Sequence, residues 1–373
     1  MATRFHSATA RVNGKTRRAF HVNLRRWYRA SKRDLPWRRT SDPYKIWVSE
    51  IMLQQTRVEV VRDYYARWLR AFPTIEALAR ASDARVLKMW EGLGYYARAR
   101  NLHRAAKIVV GSVHCLSAPR SATKTRTAGT AVPTTSAELQ TLPGIGRYTA
   151  CAIASIAFDE RVPVVDGNVA RVLARVLAIR ASVKLPRTQN QLWSLAEQLM
   201  PRTKPGDFNQ AMMELGALVC TPRNPQCPTC PLRRVCRARQ LGLTEQLPNR
   251  GKRTRPRRET VNVALVRRGG RVLLRRRDDN GLLAGMWELP TLHRRQFQVD
   301  APLFELRHTI TNRRITMCAF DCRLRHRVAS NGVWRWVSKL ELRHLTLPAA
   351  QRQALTKVFQ RTKRTGQSTS SSR

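Results

Sequence analysis

The sequence has few acidic residues and no long apolar run. Its 373 residues include 24 Asp and Glu against 70 Lys and Arg, a formal net charge of +46. This excess predicts a polyanionic partner, although charge alone does not separate DNA from RNA or anionic lipid. No stretch of about 18 apolar residues occurs, and no charged segment precedes an apolar signal core. We therefore expect a protein that works inside a cell and has no membrane span.

Acidic residues are absent from the first 33 positions, which carry several Arg and Ser. This composition fits an organellar transit peptide and a basic arm facing nucleic acid equally well. We treat residues 1–19 as a basic N-terminal arm. The expected compartment is the cytoplasm, at the nucleoid, for a bacterial protein, and the nucleus or mitochondrion for a eukaryotic one.

Hydrophobic periodicity predicts a helical domain over residues 20–246. Apolar residues recur at helical spacing from Phe20 to about Leu116 and again from Leu139 to about Leu199. Residues 117–137 between these stretches are rich in Ser, Thr and Ala, with Val132 as their one large apolar residue. That composition predicts a loop or disordered insertion.

The pattern changes in the C-terminal third of the chain. Residues 247–258 carry six basic residues and two prolines, which is typical of a linker. Val261, Val263 and Leu265 then alternate as in a strand, and Gly269 and Gly270 predict a hairpin turn. We expect an α+β domain over residues 259–360 and a disordered tail over residues 361–373, which contain no apolar residue.

Four cysteines within 17 residues follow the spacing C-x6-C-x2-C-x5-C: Cys220, Cys227, Cys230 and Cys236. Thiols inside a cell stay reduced, so this clustering predicts a metal site. A four-cysteine zinc site usually contains two C-x2-C pairs, whereas this segment contains only one, which disfavours zinc. Zinc and an unmetallated loop remain the alternatives to an iron–sulfur cluster. The other four cysteines have no ligand spacing, and we expect them to be buried: Cys115, Cys151, Cys318 and Cys322.

Two further motifs come before the cysteines. Residues 142–150 read LPGIGRYTA, in which Gly144 and Gly146 permit a tight turn whose N–H groups can approach a phosphate. Residues 162–172 read VPVVDGNVARV, with Asp166 at the start of an apolar-periodic helix. A G-x-G turn by itself is a weak signal, and Asp166 by itself is typical of a helix cap.

Glu50 lies in the segment LPWRRTSDPYKIWVSEIMLQQT, residues 35–56, where Asp42 can cap a helix that begins near Pro43. On a helical projection Ile46, Trp47 and Leu53 surround the glutamate, which predicts a buried helix. Desolvation raises the pKa of such a carboxyl toward the range of a general acid. The alternative is an ion pair with Arg38 or Arg39.

Together these motifs resemble the MutY family of adenine DNA glycosylases, in the endonuclease III or helix-hairpin-helix superfamily. The resemblance covers about residues 20–355 and includes WEGLGYYARARNL from Trp90 to Leu102. It implies a multidomain fold. An all-α glycosylase domain, with the helix-hairpin-helix at residues 139–158 and a [4Fe-4S] loop at residues 220–236, precedes an α+β MutT-like (nudix-fold) domain.

The resemblance also implies residue roles. Glu50 would protonate adenine, and Asp166 would stabilise the oxocarbenium-like sugar. Tyr148 stands where lyase members carry the lysine that forms a Schiff base, so little or no lyase activity is expected, although a tyrosine here is by itself an ordinary surface aromatic. DNA contacts are implied for the following residues: Arg33, Arg38, Gln54, Gln55, Leu93, Tyr95, Gly144, Gly146, Asn168, Thr311 and Asn312.

Residues 261–290 resemble the opening of the MutT-like domain. A nudix hydrolase needs the acidic box G-x5-E-x7-R-E-x2-E-E for magnesium, and nothing of that form follows Gly285. The resemblance therefore implies a domain that reads a base. The family's Phe-Ser-His contact with 8-oxoguanine corresponds here to Ile310, Thr311 and Asn312, a departure that retains a hydroxyl and a donor.

We therefore expect a monomeric base-excision repair enzyme. It would flip adenine out of double-stranded DNA, opposite 8-oxoguanine or guanine, and hydrolyse the N-glycosidic bond. One alternative is an endonuclease III type glycosylase and lyase acting on oxidised pyrimidines, which Tyr148, Glu50 and the second domain disfavour. The other is a non-catalytic DNA-binding scaffold, which the presence of both carboxylates disfavours.

Overall fold

The structure is a computed structural model that describes residues 12–115, 132–251, 255–278, 281, 283–328 and 332–365, with the side chains of residues 112–115 and 361–365 excepted. Backbone contacts divide the chain into two units. Unit 1 comprises Met1–Arg80 and Asn101–Arg253, and unit 2 comprises Ala81–Arg100 and Thr254–Arg373. None of the helices in the described residues is long and apolar enough to cross a membrane.

The described residues of unit 1 are helical, apart from turns and loops. A π-helical turn at Phe20–Leu24 joins the first two helices, so the chain is continuously helical from Gly14 to Ser31. The helices whose residues lie wholly or mainly in unit 1 are α1 (Gly14–Ala19), α2 (Arg25–Ser31), α3 (Pro43–Leu53), α4 (Val58–Ala71), α5 (Ile75–Arg80), α7 (Ala97–Cys115), α8 (Ser136–Leu139), α9 (Arg147–Phe158), α10 (Gly167–Val176), α11 (Pro186–Leu199), α12 (Pro205–Leu218) and α13 (Arg237–Gln240).

Helix starts in unit 1 follow side-chain capping. Asp42 Oδ1 accepts the backbone N–H groups of Tyr44 and Lys45, at 2.9 and 3.3 Å, and so fixes the start of α3 as the sequence predicts. Thr135 and Glu138 form a capping box at the start of α8. Residues 132–137, expected to belong to a loop or disordered insertion, are therefore ordered, and Val132 is buried. Residues 116–131 lie outside the described residues.

Two glycines set the spacing of the helices around the core of unit 1. A Cβ on Gly206 of α12 would lie 2.5 Å from the Ser155 carbonyl oxygen of α9, and a Cβ on Gly216 would lie 2.5 Å from Asn168 Cβ of α10. Both distances are too short for a real Cβ. Helix α12 therefore approaches α9 and α10 closely because it carries glycine at these two positions.

Unit 2 contains all the strands in the described residues. They are β1 (Arg257–Leu265), β2 (Arg267–Arg268), β3 (Arg271–Arg276), β4 (Trp287–Glu288), β5 (Phe297–Ile310), β6 (Arg313–Leu324) and β7 (Trp334–Val337). One sheet has the order β1-β6-β5, with β1 parallel to β6 and β5 antiparallel to it. In the other sheet β3 pairs antiparallel with β2, β4 and β7. Helix α6 (Asp83–Met89) and helix α14 (Ala349–Thr365) complete the unit.

Strand β1 is covered on both faces at its C-terminal end. Val263 and Leu265 pack into a core with Leu306, Met317 and Leu355. Ala264 packs on the opposite face in a smaller cluster that includes Phe297 and Cys322. The alternation predicted for Val261, Val263 and Leu265 is correct, but the residue between the last two is buried as well.

Several boundaries differ from those expected. The expected linker, residues 247–258, already contains the start of β1 at Arg257. Helix α14 continues to Thr365, so residues 361–365 are helical and were wrongly expected to be disordered. Residues 366–373 lie outside the described residues. Cys318 is partly exposed, whereas Cys151 and Cys322 are buried as expected, and the side chain of Cys115 lies outside the description.

Residues 81–100 group with unit 2, although the periodicity predicts one continuous helical domain over residues 20–246. Glu91 explains part of this grouping. Its carboxylate accepts hydrogen bonds from Lys88 Nζ at 2.6 Å and from Arg352 Nε of α14 at 2.7 Å. An arginine 261 residues away in the chain therefore holds this segment, a pairing that local sequence patterns do not reveal.

Candidate active site

A cavity of about 410 Å³ opens in unit 1 between α3, α9, α10 and α12. Such a volume lies within the range of small-molecule pockets. The cavity brings together eight residues that the sequence singled out, namely Glu50, Tyr148, Asp166, Asn168, Arg33, Arg38, Gln54 and Gln55. These residues come from distant parts of the chain, and the fold brings these eight to one cavity.

Glu50 lies in the C-terminal half of α3 and is 6% exposed. Its helix is buried on most sides, as the segment predicts, and Ile46 and Trp47 are almost fully enclosed. Burial raises the pKa of Glu50 to about 7; the Tyr148 hydrogen bond and the Arg38 charge oppose the rise, and Asp166 reinforces it. This carboxyl is therefore close to half protonated at neutral pH. The alternative ion pair is not formed, because Arg38 pairs with Glu214 and Arg39 with Asp34.

Tyr148 lies in the first turn of α9 and donates its hydroxyl to Glu50 Oε2 at 2.9 Å. The Tyr148 hydroxyl oxygen also lies 3.2 Å from the sulfur of Met213. Burial and the neighbouring carboxylates raise the pKa of Tyr148 well above its ordinary value. The hydroxyl is therefore a donor that orients the Glu50 carboxyl.

Asp166 is both a helix cap and a wall of the cavity. Its Oδ1 accepts the backbone N–H groups of Asn168 at 3.0 Å and Val169 at 2.7 Å, and its Oδ2 accepts Asn168 Nδ2 at 2.8 Å. Burial raises the pKa of Asp166, while these hydrogen bonds oppose the rise. Asp166 therefore caps α10, as its position in the sequence suggests, and also lines the cavity. Its hydrogen bonds hold the carboxylate in place there.

Glu214 is a residue of the cavity wall that the sequence analysis missed. It is 1% exposed, and its two oxygens accept a fork of hydrogen bonds from Arg33 and another from Arg38, at 2.7 to 3.0 Å. Burial by itself would raise the pKa of Glu214, but the hydrogen bonds from Arg38 and Arg33 lower it to about 2. Both arginines line the cavity, yet their guanidinium groups are already engaged by this carboxylate. The available sequence signal was an acid within the apolar run of α12 that follows Gln210.

The two glutamines follow the end of α3. Gln54 donates Nε2 to Thr149 Oγ1 at 3.1 Å, which ties it to α9. Gln55 is exposed and has a φ of +58°, a left-handed conformation that is uncommon for a residue with a side chain. The chain therefore turns sharply here and presents Gln55 at the rim of the cavity.

The helix-hairpin-helix, expected over residues 139–158, consists of α8 and α9 joined by a turn that contains Gly144 and Gly146, and its first helix begins earlier, at Ser136. Gly144 has a φ of +79°, and a Cβ there would lie 2.5 Å from Asn101 Cβ of α7. Gly146 caps α9 at a φ of −86° with no atom within 4 Å of an added Cβ. The positive φ and the contact with Asn101 therefore both require glycine at position 144. Gly146 leaves the backbone at the start of α9 accessible.

Leu93 and Tyr95 belong to the loop of unit 2 between α6 and α7. Tyr95 is 44% exposed and has a φ of +48°. Its ring and the ring of Trp90 both contact the Arg98 guanidinium. Arg98 Nη2 also donates to the carbonyls of Leu93 and Gly94, at 3.1 and 3.2 Å. Leu93 is buried, so in this structure Tyr95 rather than Leu93 faces solvent.

Thr311 and Asn312 form the turn between β5 and β6 in unit 2, and both are exposed. Thr311 has a φ of +54° and donates its hydroxyl to the Ile310 carbonyl at 2.7 Å. The Asn312 carbonyl accepts Arg257 N–H at 2.8 Å, which joins the turn to β1. The predicted base-reading residues are therefore at the tip of a well-braced hairpin.

The four clustered cysteines line a single cavity of unit 1, together with apolar side chains of α10 and α12. In the described part of the chain no three His, Cys, Asp or Glu side chains stand where they could hold one metal ion. Arg175, which is 1% exposed, donates to Cys220 Sγ at 3.3 Å and to the Thr221 carbonyl at 2.7 Å. Four thiols that line one cavity are a donor set of the kind that holds an iron–sulfur cluster, and the buried Arg175 beside them would offset the negative charge of the thiolates.

A hydrogen-bonded chain links this cavity to the candidate active site. Arg171 of α10 donates Nε to the Cys220 carbonyl at 2.7 Å and Nη2 to Asn168 Oδ1 at 2.8 Å. Asn168 in turn donates to Asp166. Arg171 and Arg175 were not predicted as site residues, although two arginines four positions apart on an apolar-periodic helix are a visible sequence signal.

Comparisons with known proteins agree with this architecture. The model of the HhH-GPD superfamily base excision DNA repair proteins matches residues 48–198, and the NUDIX domain model matches residues 262–357. A solved structure titled as a thermostable thymine-DNA glycosylase is 28% identical and has a TM-score of 0.52, covering 61% of this chain and 98% of that one. The helical unit with its hairpin and cavity thus defines a helix-hairpin-helix base excision repair protein.

Curated relatives narrow this class. Human adenine DNA glycosylase is 41% identical over 328 residues, covering 74% of this chain and 57% of that protein. The Schizosaccharomyces pombe adenine DNA glycosylase is 32% identical over 332 residues, covering 73% of this chain and 69% of that protein. The chain belongs to the adenine DNA glycosylase family, and the predicted resemblance and fold class are confirmed. It spans about three fifths of the length of the mammalian relatives it matches.

Proposed function

We propose that the protein is a monofunctional adenine DNA glycosylase that removes adenine from a mispair with 8-oxoguanine or guanine in duplex DNA. The observation that carries this proposal is the pairing of a buried, Tyr148-bonded Glu50 with a second carboxylate, Asp166, on one cavity of a family member. Two carboxylates in unlike environments are suited to an acid role and an electrostatic role at a glycosidic bond.

Glu50 supplies the proton. With a pKa of about 7, its carboxyl carries a proton in much of the population at neutral pH and releases it readily to a ring nitrogen of adenine. Protonation makes the base a better leaving group. The hydroxyl of Tyr148 then stabilises the Glu50 carboxylate that remains, at the 2.9 Å contact already present.

Asp166 stabilises the sugar. As the bond to the base breaks, positive charge develops on the deoxyribose, and a fixed carboxylate in a buried site lowers the energy of that state. Three hydrogen bonds hold Asp166 in place without using its charge for an ion pair. Water then adds to the sugar and leaves an abasic site.

Lyase chemistry is disfavoured by the lining of the cavity. A Schiff base with the sugar needs an amine nucleophile, and no lysine lines the cavity among the described residues. Tyr148 occupies the position at which the resemblance implies a lysine in lyases. We therefore expect the reaction to stop at the abasic site.

The four clustered cysteines would hold a [4Fe-4S] cluster. This follows from the resemblance and from the fit of four thiols around one cavity. When bound, the cluster supplies structural cross-linking of the loop. Arg175 and Arg171 connect the backbone of that loop to α10, so the cysteine loop and the helix that begins at Asp166 form one rigid element.

An assay on duplexes with adenine opposite 8-oxoguanine tests the activity. The wild type should release adenine, Glu50→Gln should lose at least about 100-fold of the single-turnover rate, and strand cleavage should require added alkali. Tyr28→Phe is the matched control, since Tyr28 hydrogen bonds Gln210 of the cavity wall but not Glu50.

Three results would contradict the proposal. No adenine release by the wild type would remove the activity itself. An equal rate for Glu50→Gln would remove the acid role, and efficient trapping of the protein on DNA by borohydride would revive the lyase alternative. Iron and acid-labile sulfide assays on purified protein test the cluster separately, and zinc in their place would overturn it.

A further inference from the structure

One side of the β1-β6-β5 sheet of unit 2 is largely exposed to solvent in the part next to the β5–β6 turn. Its register places Arg258 beside Arg314, Thr260 beside Thr316, and Arg307 opposite Thr316. Because side chains alternate across a strand, these residues and Thr309 share one side of the sheet. We call this surface the arginine–threonine face: Arg258, Thr260, Arg307, Thr309, Arg314 and Thr316.

Contacts on the other side of the sheet confirm this assignment of faces. Glu259 bonds Arg257 at 3.1 Å and Arg313 at 3.4 Å, so those two arginines point away from the arginine–threonine face. Val263 and Met317 continue that side into the core. Neighbouring arginines in the sequence therefore lie on opposite sides of the sheet. Those on one side are neutralised by Glu259, and those on the arginine–threonine face are not.

The charge of the arginine–threonine face is largely unbalanced. Among the described residues the side chains of Arg258 and Arg314 are exposed and make no hydrogen bond or ion pair, although the parallel register holds their backbones about 4.8 Å apart. Like charges in this relation destabilise a sheet. The one carboxylate on this side, Glu305, lies 3.8 Å from Arg307, whose side chain is 83% exposed.

The chemistry of the face fits a phosphate backbone. Arginine forks bind phosphate oxygens in pairs, and threonine hydroxyls donate to the same oxygens. The face has no exposed aromatic ring to stack a base, which disfavours single-stranded nucleic acid. An unneutralised, exposed arginine pair on adjacent strands is well placed to bind an anion, and the net charge of +46 favours a polyanion.

We propose that the arginine–threonine face binds backbone phosphates of the duplex DNA substrate, with Arg258 and Arg314 as the principal contacts. The inference rests on the proposed function, because that function identifies the polyanion as duplex DNA. It adds a second binding surface, carried by unit 2 and separate from the base-removal cavity. The role is positioning, because these residues touch neither the base nor the sugar that react.

Salt dependence of binding tests the proposal. Each phosphate contact contributes about 0.9 to the slope of log affinity against log salt. In the Glu50→Gln background, which spares the substrate, Arg258→Ala with Arg314→Ala should lower this slope by about 2 and weaken affinity about tenfold or more. The same pair changed to lysine should retain most of the slope. Arg268→Ala, an exposed arginine of the other sheet, is the matched control and should change it little.

Methylphosphonate substitution locates the contact. Duplexes that each lack one phosphate charge should bind the wild type more weakly at one or two positions. The double alanine variant should be insensitive at those same positions. Adenine release at saturating enzyme should be unchanged when Arg258→Ala and Arg314→Ala are made together in the protein that retains Glu50. A loss of release in that variant would indicate damage to the cavity and would overturn the positioning role.

Other outcomes would overturn the proposal without touching the proposed function. An unchanged slope in the double variant, or an equal loss in Arg268→Ala, would show that the face is not a specific contact. Preferential binding of an acidic peptide or of RNA by these arginines, with duplex affinity unaffected, would assign the face to another partner. Failure of the wild type to release adenine, with the slope effect intact, would instead remove the proposed function alone.

Discussion

At the scale of single residues, the candidate site separates two carboxylates by environment. Glu50 lies among apolar side chains with one hydroxyl donor, whereas Asp166 accepts three hydrogen bonds at a helix start. Burial raises the pKa of both carboxyls, but the hydrogen bonds to Asp166 oppose that rise. Glu214, with four charged donor contacts, is a third case whose pKa falls to about 2. One cavity therefore contains three acids tuned differently by their contacts.

The raised pKa of Glu50 predicts a pH-dependent stability cost. Below its ordinary pKa of 4.5 Glu50 is protonated in both states, but between 4.5 and about 7 it ionises in the unfolded chain alone. Folding stability from this group is therefore lost as pH rises to about 7. Glu50→Gln, which is neutral at any pH, should be more stable than the wild type by about 3 kcal/mol at pH 8 and nearly equal near pH 4. Urea unfolding at both pH values measures this, and a gap independent of pH would contradict it.

Tyr148→Phe should move the alkaline limb of activity. The Tyr148 hydroxyl lowers the pKa of Glu50, so its removal raises that pKa and keeps the acid protonated to higher pH. The pH at which single-turnover adenine release falls should increase by about one unit. Rate profiles from pH 5 to 9 measure the limb. Tyr28→Phe should leave it in place, and an unmoved limb in Tyr148→Phe would show that the hydrogen bond does not act on the acid.

At the scale of elements, the site depends on how closely helices and turns approach one another. Gly216 lets α12 approach Asn168, and Gly144 lets the hairpin turn approach Asn101 of α7. These glycines act through the space they leave. Arg171 then fixes α10 by donating to backbone carbonyls of Gly216 and Cys220, at 2.8 and 2.7 Å. The orientation of Asp166 is therefore a property of three elements together.

Two glycines of the hairpin give a matched pair of substitutions. Gly144→Ala puts a methyl group at a φ of +79° and 2.5 Å from Asn101 Cβ, so it should cost at least about 2 kcal/mol and weaken duplex binding. Gly146→Ala meets no atom within 4 Å and should cost at most about 1 kcal/mol. Denaturant unfolding and duplex affinity measure both. Equal effects would show that the close approach to α7 does not matter.

At the scale of the whole molecule, the two main features are the excess of basic charge and the way the chain is divided between the two units. Unit 2 takes residues 81–100 from within the helical sequence, and each unit has apolar cores of its own. Basic residues occur in both units. Glu214 and Asp321 are each paired with arginine, the first pair in a buried position and the second at the surface, so these arginine charges are already balanced within the protein.

Binding of the whole protein to duplex DNA should weaken steeply with salt. A net charge of +46 permits many phosphate contacts, and each contact adds about 0.9 to the slope of log affinity against log salt. Titrations of an undamaged duplex at several salt concentrations measure the slope. A slope near zero would mean that most basic residues lie away from DNA, and it would weaken the case for DNA as the polyanion.

Much of this protein was predictable from its sequence because the decisive signals are local. Helical spacing placed α3 and α9, a capping aspartate placed the start of α3, and the G-x-G turn placed the hairpin. The apolar neighbours of Glu50 predicted its burial and the direction of its pKa shift. These features follow from residues within one or two helical turns, whose geometry is nearly independent of the rest of the chain.

What required the tertiary structure are contacts between residues far apart in the chain. Glu214 binding Arg33 and Arg38, Tyr148 donating to Glu50, and Arg352 holding Glu91 each join positions between 98 and 261 residues apart. The sharing of one sheet face by Arg258, Arg307 and Arg314 depends on strand register in the same way. Sequence periodicity determines which side of an element a residue faces, but packing of the whole chain decides what it meets there.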